Sequence, residues 1–538
     1  MTERLAGLSP AKKRKVYIVC LALLLLLTGF LRIYRIDKVP EGIHYDEAAL
    51  SYNAWCIQSF GTDGYGNRLP LCPQNLFGSQ ASFYTYLTAG MYRLFGRSVV
   101  TLRLPMAVLG VLLTLFGMLI LKEAFGRKLS LIGGVLLSIC PYFIMHFRFG
   151  FDCNAFLALF TVAFYLLIRA VKSGKPGAYA LAGVLTGLCL YTYGLSYIIL
   201  PVFLVTAAAY LLYTGWTNWK RLLAFALPVF VLAIPHILFV AVNVLDMPAI
   251  VTPVLTINKV PRATGSELSL RHFSENLQAV CNCVLFCDSY KANAIEGFYT
   301  LYAVSVPFFL VGVVRGGGEL VRSLQRKRYG VTSLVCLWFG AVFLLGLMIA
   351  GYGPSIHRLN GIFFPALYFT CLGLLTCYRI LLRRGWKLAF AGIVALLYLV
   401  SFVRFLDTYR NFSLDVTYET KENSVSDYAA AYRDLEAHGV RAELWIDEEP
   451  IFYYALHDTL EPACYANDTI AISNARFRAF EYEPGYTEIQ PEGAVYVMRE
   501  VNKTGIDWFE ASPAAGNYER VEYGAYRMYV VKGTLNKN

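Results

Sequence analysis

A succession of uncharged apolar runs, each about as long as a bilayer is thick, constrains this chain more than any other feature. A stretch of roughly 20 apolar residues in lipid must satisfy its own backbone polar groups, so it crosses as a helix. Such runs cover Val16–Leu31, Leu104–Leu121, Leu131–Phe147, Cys153–Ile168, Ala178–Tyr193, Ser196–Tyr213, Leu222–Asn243, Phe298–Val314, Val331–Ala350, Gly361–Cys377 and Leu388–Phe405. They predict a polytopic α-helical membrane protein with about eleven transmembrane helices. With 57% hydrophobic residues among 538, a soluble multidomain protein is excluded.

Charge then orients the runs. The formal net charge is +11, but the Lys and Arg residues are not gathered into one domain or face, which argues against nucleic acid as a partner. They stand at the ends of apolar runs, as in Lys12-Lys13-Arg14-Lys15, Lys122 with Arg127 and Lys128, and Arg379 to Lys387. That is the positive-inside pattern, and it predicts a cytoplasmic N-terminus with external loops at 32–103 and 244–297. The first run continues into Arg32-Ile-Tyr-Arg35 without a small-residue cleavage site, so it reads as a retained span rather than a secretory signal.

Residues 1–406 therefore read as the membrane module. From Asp407 onward, charges and strand-like runs replace the apolar segments, which predicts a small extracytoplasmic α/β domain over 407–538. Its expected elements are helices over Ser424–His438 and Pro450–Leu456, strands over Ala442–Ile446 and Ala494–Met498, and a hairpin over Val521–Val531 turning at Gly524-Ala525. In the second external loop a helix is expected over Glu267–Phe286, after the turn Ala263-Thr-Gly265.

The first external loop carries the chemistry. Phe83, Leu87, Met91 and Leu94 recur at helical spacing in Ala81–Phe95, as on a helix lying in the membrane interface. Further back, Asp46 and Glu47 stand just past the first span, where acid is costly and asks for a reason. One reading is a general base; the other makes Asp46 the N-cap of a helix over Ala48–Phe60, with Glu47 in its first turn. Both can hold, since a cap leaves one carboxylate oxygen free. Cys56 with Cys72, and Cys281, Cys283 and Cys287, could form disulfides in an oxidising compartment. Their spacing does not suit zinc, and no metal is assigned.

Laid out in order, the motifs resemble the GT-C membrane glycosyltransferases, specifically the bacterial family akin to protein O-mannosyltransferases and lipid A aminoarabinose transferases. The resemblance rests on Pro40-x-Gly42 leading into Asp46-Glu47-Ala48, and on Gly61-Thr-Asp63-x-x-Gly66-x-x-x-Pro70. It continues through Leu94-Phe-Gly96, Arg103-Leu-Pro105, Phe147-Arg148-x-Gly150, and Tyr191-Thr-Tyr193 followed by Pro201. It implies the GT-C fold and inverting transfer of a sugar from a polyprenyl-phosphate donor to an acceptor hydroxyl of a glycan, lipid or protein on the outer side. Asp46 matches the family's base, with Glu47 beside it. A phosphate leaving group needs cations rather than a protonated acid, and the candidates are Arg358, His357 and Arg148. Asp152 would orient the acceptor or complete an acidic pocket with Asp46, and His44, Tyr84, Tyr191 and Tyr193 are candidate substrate contacts.

Each of these has a plainer alternative: Arg358 as a headgroup anchor, Arg148 as a partner of Asp152, Asp152 as a solvated acid, His44 as a packed histidine. A departure also stands out, because aminoarabinose-type relatives carry Lys-Pro-Pro where this chain has Ser79-Gln80-Ala81, which removes an expected cation. No cofactor is assigned, and a divalent cation held by acids beside a phosphate is left open. The competing function is a transporter or flippase of lipid-linked glycans, but transporters place ionisable groups near the midplane, whereas these acids lie at the external rim.

Overall fold

The computed structural model describes residues 9–75, 78–260, 268–286, 294–295, 297–349, 353–412, 443–446, 477–479, 494–499, 503–523 and 526–532. Eight of its helices are long and apolar enough to cross a membrane: Pro10–Ile33, Val99–Phe125, Asp152–Ser173, Ser196–Tyr213, Trp219–Val244, Val331–Met348, Asn360–Ile380 and Arg384–Tyr409. The chain is a multi-pass membrane protein. The other three expected spans are helical but shorter or less apolar. Arg127–Ile139 breaks at Cys140 before Pro141–Met145, and Pro176–Leu188 ends in a single 3-10 turn. Ser305–Gln325 carries Arg315, Glu319 and Arg322 in its second half.

The polypeptide forms two compact units. The first comprises Met1–Ile36, Arg103–Leu238 and Thr264–Tyr409, and the second comprises Asp37–Leu102, Phe239–Ala263 and Arg410–Asn538. In the first unit, small residues let helices approach to backbone contact. A Cβ on Gly312 would collide with the carbonyl of Phe369, and one on Gly373 with that of Phe308, so Ser305–Gln325 and Phe363–Ile380 pack along a glycine seam. Trp338 sits deep in the same unit, edge-on to Phe160 at 4.6 Å and stacked on Phe364 at 5.4 Å.

In the second unit, Tyr45–Phe60 packs against Ser82–Phe95. The latter helix buries Tyr84, Thr85, Thr88 and Tyr92 and turns Leu87, Leu94 and Phe95 outward. Polar-in, apolar-out is the reverse of a soluble surface helix and suits contact with lipid. A two-residue hairpin, Gln74–Asn75 with Gly78–Ser79, precedes it, and a second pairs Ile250–Val251 with Thr256–Ile257. The two loops are tied together where the amide of Leu71 donates to the carbonyl of Thr256 (2.8 Å) and Asn258 Nδ2 donates to that of Cys72 (3.0 Å).

The C-terminal segment contains a five-stranded sheet ordered Phe477–Ala479, Glu443–Ile446, Ala494–Arg499, Tyr526–Val531, Tyr518–Tyr523. The first three strands are parallel, and the last two pair antiparallel. Lys503–Glu510 packs Ile506 and Phe509 against Tyr496, Tyr518 and Tyr529. The expected strands and hairpin are present, while Phe477–Ala479 and Lys503–Glu510 are additions. The expected helices at Ser424–His438 and Pro450–Leu456, and the turns at Ala263–Gly265 and Gly524-Ala525, lie outside the described residues. The second external loop's helix is shorter than expected, Phe273–Leu285. Cys56, Cys72 and Cys283 are buried and Cys281 is half-buried.

Candidate active site

The first group of candidate residues lies in the second unit, at the N-terminus of Tyr45–Phe60. Its N-cap is His44 rather than Asp46, a two-residue correction to the sequence reading. His44 Nδ1 accepts from the amide of Asp46 (3.1 Å), and the Glu47 carboxylate accepts from the amide of His44 (3.3 Å), closing a capping box. Because Nδ1 is an acceptor, the proton of His44 sits on Nε2, and the 3.7 Å approach of Nδ1 to Asp46 Oδ2 is not an ion pair. His44 and Glu47 are fully buried, and both build the helix start. Asp46 is left with its side chain 48% exposed, fixed to the first turn, where the helix dipole favours a carboxylate.

The segment around it is braced by neutral amides. Gln80 donates from Nε2 to the main-chain oxygen of Asp46 (3.2 Å), and its Oε1 accepts from Asn53 (3.4 Å). Where the expected lysine is missing, a buried amide thus ties the acid's backbone to the hairpin. Asp63, quoted above only as part of a motif, is the hub of its loop. Its carboxylate accepts from the amides of Tyr65, Asn67 and Gln74 and from Asn67 Nδ2. Burial raises its pKa above the ordinary carboxylate value, against the lowering effect of those hydrogen bonds. Tyr84 is buried, and its hydroxyl donates to the carbonyl of Leu102 (2.6 Å).

The second group lies in the first unit. Arg148 is buried, and its guanidinium is directed to the end of Pro10–Ile33, donating to the carbonyls of Leu31 (2.7 Å), Tyr34 (2.9 Å) and Arg35 (3.0 Å). Carbonyls at a helix C-terminus lack intrahelical partners, and the arginine fork supplies them. It therefore clamps the chain at that helix end. Arg103 does similar work one residue further on, donating to Ile36 (3.1 Å). Asp152 opens the Asp152–Ser173 helix and accepts from the amide of Cys153 (2.7 Å).

His357 and Arg358 occupy the turn before Asn360–Ile380. His357 lies edge-on to Phe151 (5.0 Å) and His146 (5.7 Å), with Nδ1 3.9 Å from Cys153 Sγ. Burial, and then the charge of Arg358, push its pKa down to about 4, so the imidazole is neutral at pH 7 in this structure. Asn360 braces the same turn by donating to the carbonyl of Cys153. Arg358 remains the phosphate candidate of this group. Its amide donates to Ser355 Oγ (3.4 Å), and its side chain is half-buried. Tyr191 donates to the carbonyl of Leu232 (3.0 Å) and stands edge-on to His236 (4.3 Å), which in turn meets the Tyr197 hydroxyl at 2.8 Å. Tyr191 and Tyr193 are both half-buried.

The membrane helices, the acid-bearing capped helix after the first span and the small C-terminal sheet together make up the GT-C fold. Residues 79–241 match the family model of dolichyl-phosphate-mannose-protein mannosyltransferases. Among solved structures, the chain is similar to ArnT from Cupriavidus metallidurans bound to undecaprenyl phosphate, at 13% identity and a TM-score of 0.56 over 96% of this chain and 98% of that one. The apo state of the same protein gives a TM-score of 0.58 at 13% identity over the same shares. The archaeal oligosaccharyltransferase AglB from Archaeoglobus fulgidus, in complex with an inhibitory peptide and a dolichol-phosphate, gives 0.51 at 13% identity, over 97% of this chain and 75% of that one. No protein of curated function matches the sequence.

Proposed function

We propose that this chain is an integral-membrane inverting glycosyltransferase that moves a sugar from a polyprenyl-phosphate donor to an acceptor hydroxyl on the extracytoplasmic side. Asp46 is the base, since it alone of the acids at its helix start keeps an exposed carboxylate. The acceptor oxygen attacks the anomeric carbon as its proton passes to Asp46, and the bond from that carbon to the phosphate oxygen breaks. The leaving polyprenyl phosphate departs as an anion, so no protonated carboxylic acid is required on that side, unlike ordinary glycoside hydrolysis. Arg358 holds the phosphate with charge-assisted hydrogen bonds.

In this reading the basic run ends and the N-terminus face the cytoplasm, while residues 407–538 lie outside with Asp46. The acceptor is a glycan, lipid or protein hydroxyl. Support comes from the fold shared with structures holding undecaprenyl phosphate or dolichol-phosphate, together with the exposed acid on its capped helix. The test is transfer in proteoliposomes from a polyprenyl-phosphate hexose or pentose. Asp46→Asn should abolish turnover while Glu47→Gln keeps it, and turnover by Asp46→Ala at the wild-type rate would refute the assignment.

A further inference from the structure

A polar cavity lined by none of the candidate site residues opens at the basic end of the first unit. It encloses about 490 Å³, where Val99–Phe125, Ser305–Gln325, Val331–Met348 and Phe363–Ile380 converge. That volume is in the range of ligand sites, roughly 300–1,000 Å³. Its polar wall is formed by Arg315, Glu319, Thr332, Thr376 and Arg379, and its apolar wall by Phe125 and Leu375 among others. The glycine seam at Gly312 and Gly373 fixes the two helices that carry four of the five polar residues, so the cavity is built on rigid elements.

The charges in it do not cancel. Arg315 Nε reaches Glu319 Oε1 at 3.2 Å, one turn along the same helix. Arg379, in the last turn of its own helix, makes no ion pair among the described residues. One uncompensated cation thus faces a concavity whose other wall is apolar. Topology alone explains arginines at the ends of apolar runs. It does not explain why two of them, from different helices, line one concavity with a threonine hydroxyl and an apolar floor.

We propose that this cavity binds the headgroup of an anionic phospholipid, with its phosphodiester on Arg379 and the adjoining acyl carbons against Phe125 and Leu375. A phosphodiester carries one negative charge, matching the one unpaired guanidinium, and the arginine fork suits its oxygens. Headgroup hydroxyls find acceptors in Glu319 and in Thr376, whose own hydroxyl already donates to Leu372 (2.7 Å). Basic pockets between membrane helices bind anionic headgroups on these principles. The inference stands apart from the proposed transfer, because it uses none of the residues assigned to it.

The experiment is native mass spectrometry of the purified full-length protein after reconstitution with equal amounts of dioleoyl phosphatidylglycerol and dioleoyl phosphatidylcholine. The wild type should retain phosphatidylglycerol selectively. Arg379→Gln should lower that retention about tenfold or more, the loss of one charged contact. Arg383→Gln, a basic neighbour outside the cavity, should not change it, and Leu375→Trp should lower it by filling the space. Equal retention of both lipids, unchanged retention in Arg379→Gln, or equal loss in Arg383→Gln would overturn the assignment. Displacement by millimolar inorganic phosphate would also overturn it, by showing a soluble-anion site instead of a lipid one.

Discussion

Arg148 separates a structural clamp from a phosphate ligand, because the two roles predict opposite outcomes for one substitution. In Arg148→Met the guanidinium is lost from three carbonyls at the end of Pro10–Ile33. The bond to Leu31 is the shortest, and its residue is partly buried, so a charge-assisted bond worth roughly 1.5–3 kcal/mol is lost there outright. Tyr34 and Arg35 are exposed, so water replaces most of what their carbonyls lose. The guanidinium also lies 5.8 Å from the centre of the Tyr409 ring, which adds about 0.5–1 kcal/mol. Arg35 stands at φ +52°, a left-handed conformation that is rare outside glycine and is held in part by this bond. The expected destabilisation is about 3 kcal/mol, read as a lower melting temperature in detergent and as faster proteolysis near Tyr34. Arg148→Lys should recover less than half, because an ammonium cannot fork to three acceptors. The reasoning is refuted if Arg148→Met melts like the wild type while its KM for the lipid-linked donor rises.

Other substitutions read the remaining roles. His44→Ala should cost about 1 kcal/mol of stability through the lost cap, whereas His44→Asn, which can also cap, should retain most of it; equal melting of all three proteins would remove the capping argument. Tyr84→Phe should lose about 1 kcal/mol with its bond to Leu102 and leave donor KM unchanged, whereas a raised KM would restore it as a substrate contact. His357 has a folded-state pKa below its unfolded value near 6.5, so the stability it contributes is complete above that value and is lost as pH falls toward about 4. His357→Gln should therefore flatten the melting temperature between pH 6.5 and pH 4, and an unaltered acid slope would contradict the neutral assignment.

The fold was legible because lipid leaves few choices: apolar length gives spans, and each expected run contains a helix, although Leu131–Phe147 breaks at Cys140 and the helix in Phe298–Val314 starts only at Ser305. The Ser82–Phe95 helix was legible for the same reason, its outward Leu87 and Leu94 standing at the spacing that marked them. The site was less legible, because its polar residues answer to distant backbone. Arg148 meets carbonyls more than a hundred positions earlier in the chain, and no local pattern announces such a partner. Asp46 and His44 are two positions apart, and either can cap a helix whose start shifts by two residues; the Glu47 side chain, placed three residues after His44, was the available signal. Phe477–Ala479 was missed because three residues are too few to show alternation.

The account's central claim is that Asp46 removes the acceptor's proton. Its most direct test is single-turnover transfer from a polyprenyl-phosphate sugar in proteoliposomes, comparing the wild type with Asp46→Asn, a change that keeps size and leaves the His44–Glu47 cap intact. The expected result is a loss of about 10²–10⁴ in the transfer rate with donor binding and melting temperature preserved. Transfer by Asp46→Asn at the wild-type rate would contradict the claim.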